Sequence, residues 1–406
     1  MIHGRSSVLT VAFALLLAFA GRADALTVEV LAGKHDRENT IAIIPLPAGL
    51  AKAQTFQVSY ANAAADVALL RQKLTLDGRT VLAVILPGSI KAGSSVTLNV
   101  VETEAAKANQ RPQVSIDKND ANLTIRVQDK DVIRYNMAVT QPPDEVDKIF
   151  ARSGYIHPVR SPSGHVITND FPPKHLHHHG IWFPWTDATY EGQKVDFWNS
   201  KKGEGKVEFV KLETTEAGNV MAAYRTQHRF IGMKIKGGTT ILNETWDVRV
   251  YNTTSYRLFD LDSTQTCATD KPLKLLNYYY GGIGLRGSGQ WEGKEVNFIC
   301  ADGKTRIDGH ATKQTWVAMY GKIDGKACGI AVLGHPSNFR APQMTRIHPT
   351  EPFFNFAPCA EGEFEIVPGK PYVSKYRYVT FDGEPDVKLI DRLWNDYAEP
   401  VEVKVK

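Results

Sequence analysis

The feature that most constrains this chain is the recurrence of short runs rich in β-branched and aromatic residues, each cut off by a tight-turn signal. Residues 26–31 and 40–44 are β-branched, residues 56–60 alternate, and residues 74–76 and 79–86 flank Asp77-Gly78 as a hairpin. Residues 95–101 complete this first set. Similar runs follow at 123–127, 207–212, 222–230, 239–251, 256–263, 314–319, 329–333 and 372–381. Asp-Gly pairs recur at Asp302-Gly303, Asp308-Gly309, Asp324-Gly325 and Asp382-Gly383. One segment has helical spacing: residues 386–397, where Val387, Ile390, Leu393, Trp394 and Tyr397 share a face. The pattern predicts an all-β protein. A small immunoglobulin-like sandwich is expected over residues 26–102, a polar linker over 103–112, and a large antiparallel β-sandwich with a C-terminal helix over 113–406. Gly281 to Gly287 is glycine-rich but lacks the helix that a phosphate-binding loop requires, so it reads as a bulge or turn.

The first 25 residues read as a secretory signal. Arg5 precedes a nearly unbroken apolar run over residues 8–20, and Ala23-Asp24-Ala25 fits a small-x-small cleavage site. The other reading is an uncleaved anchor. Cleavage after Ala25 would give an exported protein, periplasmic or extracellular, and no later run approaches the ~20 apolar residues that span a bilayer. No membrane insertion is expected after signal removal. A formal net charge of +4, evenly spread, gives no basic arm for nucleic acid. Cys267, Cys300, Cys328 and Cys359 allow either two disulfides or four buried thiols.

Chemistry concentrates in residues 174–185, where His175, His177, His178 and His179 are followed by Trp182, Phe183 and Trp185. Imidazoles suit proton transfer near neutral pH and metal binding, and aromatic faces suit sugar rings. On a strand, His175, His177 and His179 would share one face and His178 the other. Three readings follow: a divalent metal site completed from elsewhere, metal-free acid/base or binding histidines, or structural histidines. Asp196, beside Phe197 and Trp198, is a candidate general acid whose pKa burial would raise, unless it and Asp187 cap turns. Glu244 is a second candidate carboxylate or a solvated strand residue. His335, Asn338 and Arg340 lie in a proline-stiffened loop suited to presenting polar groups to a ligand, with Asn355 as a further member.

These motifs form an ordered series: Tyr155-Ile156-His157-Pro158, Ser161-Pro162-Ser163-Gly164, His175 to Trp182, Asp196-Phe197-Trp198, Gly281 to Arg286, and Gly329-Ile330-Ala331 with His335-Pro336, Asn338, Arg340 and Pro342. The series resembles the exported bacterial proteins called PmoA-like, a domain of unknown function. Leu176 stands where that family has proline and His179 where it has arginine, so His175, His177 and His178 are the positions that carry over. The resemblance implies a carbohydrate role, and its outline is similar to the supersandwich of galactose-mutarotase-like proteins. The methane-oxygenase label conflicts with the lack of spanning segments.

The expected function is an exported carbohydrate-active enzyme, a hydrolase, lyase or epimerase. His177 and His178 would serve as acid/base groups or metal ligands and Asp196 as the second acid/base group. His157, His175, Trp182, Trp198, His335, Asn338 and Arg340 would bind a carbohydrate or other small polar substrate. The alternative is a non-catalytic glycan-binding or scaffold protein on the same surface.

Overall fold

The structure, a computed structural model, describes residues 25–62, 68–76, 78–103, 112–293 and 295–406. Residues 1–24 of the expected signal segment, residues 104–111 of the expected linker 103–112 and the turn residue Asp77 lie outside the described residues.

Strand formation follows the apolar alternation. In Met221–Gly232 and Thr239–Tyr251 alternate side chains are buried, and the two strands pair from Met221↔Tyr251 to Gly232↔Thr239. They belong to an eight-stranded antiparallel sheet ordered Gly205–Glu216, Met221–Gly232, Thr239–Tyr251, Arg257–Cys267, Tyr372–Asp382, Lys326–Gly334, Trp316–Ile323 and Asn297–Cys300. A nine-stranded sheet packs against it, including the consecutive neighbours Gln343–Ile347, Phe353–Phe356, Gly284–Arg286, Ile181–Trp182, Tyr155–Val159 and Lys130–Asn136. Val127, Ile133, Ile181, Trp246, Val248, Leu261 and Phe354 fill the space between the sheets. Each fully buried aliphatic side chain stabilises the sandwich by about 1.5–3 kcal/mol. The fold is thus all-β and sandwich-like, as the strand pattern predicts.

Two smaller sheets hold the first strands. Ala25–Leu31, Ser95–Thr103 and Thr55–Tyr60 form one; Arg37–Pro45, Arg79–Ile90 and Arg71–Leu76 form the other. Val28, Ile44, Val58, Leu82 and Val100 make their common core. The last strand, Glu402–Val405, does not stay with the large sandwich. It returns to pair antiparallel with Ala25–Leu31.

The helix spans Val387–Ala398, and the Asp386 carboxylate accepts from the Leu389 N–H as its N-cap. Ile390, Leu393 and Tyr397 are buried beside Leu74 and Val81 of the small sandwich and Trp316, Leu333 and Val379 of the large one. The helix is therefore a shared wedge, pinned by buried Arg37, which reaches Asp396 at 2.8 Å and the Glu399 carbonyl at 2.7 Å. All four cysteines are free thiols. Burial pushes the thiols of Cys300, Cys328 and Cys359 up to about 12. Among the described residues no helix is long and apolar enough to cross a membrane.

Candidate functional site

The histidine segment is not a strand. Pro172 and Pro173 start two successive turns, in which His175 N–H donates to Pro172 O at 2.9 Å and His178 N–H to His175 O at 2.8 Å. The loop ends are tied by an Asp170↔His179 bridge and by Gly180 N–H to Asn169 O at 2.8 Å. Turn geometry replaces the alternation expected of a strand. The His175 and His178 rings stack, with centroids 4.8 Å apart and an 11° interplanar angle. His177 meets His178 edge-on at 4.7 Å, and His348 meets His175 at 5.6 Å.

Gly180 makes this loop possible. Its φ is +32°, and a Cβ there would lie 2.1 Å from the Ile156 carbonyl oxygen and 2.9 Å from His157 Cβ. Only glycine lets the loop drop straight into the strand Ile181–Trp182.

Beneath the loop, Tyr155, Trp182, Trp198 and Phe353 form a separate buried cluster, with Tyr280 packed on its edge. Trp182 and Trp198 are 0% and 2% exposed, so they floor the site rather than wall it. Their expected role as a stacking surface for substrate is corrected: packing on His178 and Phe353 leaves no free face. Trp185 sits deeper still, donating to Gln265 Oε1 at 2.7 Å. The accessible rings beside this cluster are exposed Tyr279 and its half-buried neighbours Tyr278 and Tyr280, which the sequence pattern did not single out. Tyr279 is 50% exposed, and Tyr280 touches Trp198 at 4.9 Å. Three tyrosines in a row before Gly281-Gly282 were the available signal.

The imidazoles are held neutral. Burial, then neighbouring histidines, pulls His177 down to about 4. Burial also holds His178 well below the usual imidazole range and lowers His175. His348 falls to about 4 through burial and then Arg346. The buried Nδ1 atoms of His175 and His178 have no partner. Among the described residues no three His, Cys, Asp or Glu side chains are grouped to hold a metal ion.

His179 lies in a different environment. It is fully buried, its Nδ1 is 2.7 Å from Asp170 Oδ1, and Asp170 Oδ2 accepts from the Tyr155 hydroxyl at 2.6 Å. Burial alone would raise the Asp170 carboxyl, but its bonds to His179 and Tyr155 hold it below the usual range. An ionised Asp170 fixes the proton on His179 Nδ1, leaving a buried, unpartnered Nε2 as an acceptor. His157 joins this network rather than the loop surface. Its Nδ1 is 2.9 Å from Thr168 Oγ1, and burial lowers the ring to about 4.

Asp196 departs from its expected role. Its Oδ1 accepts from the Trp198 and Asn199 backbone N–H groups at 2.9 and 2.8 Å, and its Oδ2 from Asn199 Nδ2 and Lys202 Nζ at 2.8 and 2.7 Å. The Thr186 hydroxyl adds a longer bond to Oδ2 at 3.4 Å; burial would raise the Asp196 pKa, but the bonds from Asn199 and Lys202 and the Lys202 charge lower it. Asp196 is a turn anchor with a saturated carboxylate, not a general acid. Glu244 is neither solvated nor in the site. Buried, it bonds His228 at 3.0 Å, Ser263 at 2.6 Å and Gln265 at 2.8 Å inside the large sandwich.

The loop carrying His335, Asn338 and Arg340 sits elsewhere. Asn338 bridges the Lys375 backbone, donating to its carbonyl at 2.8 Å and accepting from its N–H at 2.7 Å. Arg340 donates to the Pro358, Gly362 and Glu363 carbonyls at 2.6–3.2 Å. His335 packs edge-on to Tyr397 at 4.9 Å. Among the described residues no hydrogen bond or ring contact joins this group to the histidine loop, and the expected single constellation is corrected accordingly. Asn355 is fully buried, donating to the Gly281 and Phe356 carbonyls.

Around the loop the structure adds groups that the sequence did not reveal. A cleft of about 460 Å³ lies against it, lined by Phe150, Lys174, His177, Asn199, Lys201 and Lys202 among others. Asn199, which lines the cleft, donates through Nδ2 to the Tyr280 hydroxyl at 3.2 Å, linking the cleft wall to the tyrosine run. Behind the loop, buried Arg286 holds Glu351 at 3.0 Å and also contacts Glu292. Glu351 is held ionised by Arg286, whereas burial and its acidic neighbour push Glu292 up.

No curated protein matches this chain. Among solved structures, an α-mannosidase from Enterococcus faecalis V583 is similar at a TM-score of 0.43 and 10% identity, covering 94% of this chain and 46% of that one. The chain spans less than half of that neighbour's length. The profile of a family of unknown function, DUF6807, matches residues 122–395, which include the whole histidine loop, its aromatic floor and the tyrosine run. This chain belongs to that family of unknown function, DUF6807.

Proposed function

We propose that this is an exported carbohydrate-active enzyme whose site is the cleft between the histidine loop and the Tyr278–Tyr280 platform. The observation that carries the reading is the placement of a neutral imidazole, His177, on a cleft wall with Asn199, which bonds the Tyr280 hydroxyl beside the exposed Tyr279 ring. Aromatic faces take the apolar side of a sugar ring, and a deprotonated imidazole accepts a proton from a hydroxyl, a water or an acidic C–H. Asp196 is saturated, and Glu244 is sequestered in the core. A pair of free carboxylates flanking a glycosidic bond is therefore not the arrangement offered here. Base chemistry by His177, as in a lyase, an epimerase or a water-activating hydrolase, fits better. His178 then supports His177 by ring contact, and Trp198 supports Tyr280. The methane-oxygenase label is no part of this reading.

The test is His177→Ala in the full chain, assayed by mass spectrometry of products from an oligosaccharide panel. The expected outcome is a loss of turnover of about 10²–10⁴-fold with binding retained within a few-fold. Glycan binding with no turnover in either protein would make the chain a binding module instead. Unchanged turnover would remove His177 from the mechanism.

A further inference from the structure

The charges around the proposed sugar site do not balance. Arg346, on the strand Gln343–Ile347, places its guanidinium 5.1 Å from the centroid of the Tyr279 ring. It is close enough to His175 and His348 to lower both. Three other arginines on the sheet strands are paired with acids: Arg286 with Glu351 at 3.0 Å, Arg377 with Asp260 at 2.7 Å and Arg249 with Asp262 at 2.6 Å. Arg346 has no carboxylate within 4.0 Å among the described residues, and its hydrogen bond is a long one of 3.3 Å to the Ile347 carbonyl. A guanidinium carries five N–H donors, so most of this fork is free.

The cleft lined by Asn199, the hydrogen-bond partner of Tyr280, has the same sign. Lys174, Lys201 and Lys202 line it, and no acidic side chain does. Lys202 is neutralised by Asp196 at 2.7 Å and Lys174 leans to Glu351 at 3.3 Å, but Lys201 has no ion pair among the described residues. The histidines add no negative charge, and as neutral rings they do not repel an anion.

We propose that the ligand is an anionic carbohydrate, its carboxylate or sulfate group held by the Arg346 fork while its ring lies on Tyr279 and Tyr280. Arg346 suits this because its planar donors match a pair of anion oxygens, and its contact with the Tyr279 ring holds the guanidinium beside the sugar position. Lys201 extends the positive field along the chain direction of a longer ligand. This inference rests on the carbohydrate reading above and specifies its substrate class.

The experiment is calorimetric titration of the full chain with a matched panel of neutral, uronate-bearing and sulfated oligosaccharides, repeated for Arg346→Gln and Arg346→Lys. Wild-type protein is expected to bind a charged member roughly ten-fold or more tightly than its neutral counterpart. Arg346→Gln should erase that preference, and Arg346→Lys, which keeps charge and packing stem, should restore part of it. Uronate and sulfate arms tell the two anions apart. Equal affinity for neutral and charged members, or a preference that survives Arg346→Gln in a protein with unchanged melting, overturns the anionic assignment and leaves the sugar site standing. No binding to any member overturns both.

Discussion

Asn338 and Arg340 show how a polar side chain in a stiff loop becomes a fastener. Each hydrogen bond they make ends on a backbone group of a neighbouring segment, so each is already satisfied before any ligand arrives. Asn338→Ala and Arg340→Ala should each lower unfolding free energy by about 1.5–3 kcal/mol, because buried backbone groups lose their partners. Turnover and glycan affinity should stay within two-fold. Urea titration paired with a binding assay checks this, and a large functional loss at full stability would return these residues to the site. Asp196 teaches the same lesson with opposite sign. The sequence places it among rings, which suggests a raised pKa. What decides the outcome is the count of donors aimed at it, two backbone and three side-chain, and those depend on a turn that the sequence does not announce.

At the scale of elements, the histidine loop depends on one position. Gly180→Ala places a methyl group against the Ile156 carbonyl in a left-handed backbone region, and should cost about 3 kcal/mol or more. The expected readout is a lower denaturation midpoint together with lost glycan affinity, since loop and floor are joined there. Gly164→Ala serves as a control: its φ is also positive, but nothing lies within 4 Å of a Cβ. Legibility of the sequence divides along these lines. The strand Thr239–Tyr251 was readable to the residue, because alternation repeated over many positions leaves one solution, while Gly205–Glu216 and Arg257–Cys267 run past the ends that their apolar runs mark. The helix was readable from its apolar stripe and Asp386 cap. Short strands such as Ile181–Trp182 and Gly284–Arg286 hold too few residues to show a period. The histidine cluster was legible as a cluster, but its face assignment was not, since Pro172 and Pro173 impose turns. Arg346 and His348 were missed because their meaning comes from Tyr279 and His175, distant in sequence.

Across the whole molecule, neutral buried imidazoles set a pH dependence. His157 and His177 each fall from 6.5 to about 4 on folding. Between those values the unfolded chain binds more protons than the folded one, so stability rises with pH. The stabilisation is fully present above about 6.5 and is lost as pH falls towards 4. Each ring should take away about 2 kcal/mol between pH 7 and 5. Urea titrations at the two pH values check this, and His157→Gln should make the dependence shallower by about its own share. A flat profile would show that these rings are protonated without penalty.

The return of Glu402–Val405 to the edge of Ala25–Leu31 has a consequence for biosynthesis. A nascent chain emerging from the ribosome presents Ala25–Leu31 early, yet one flank of that strand stays bare until residue 405 is out. The sandwich encoded first is thus completed last. During the interval an unpaired strand edge is open to other chains.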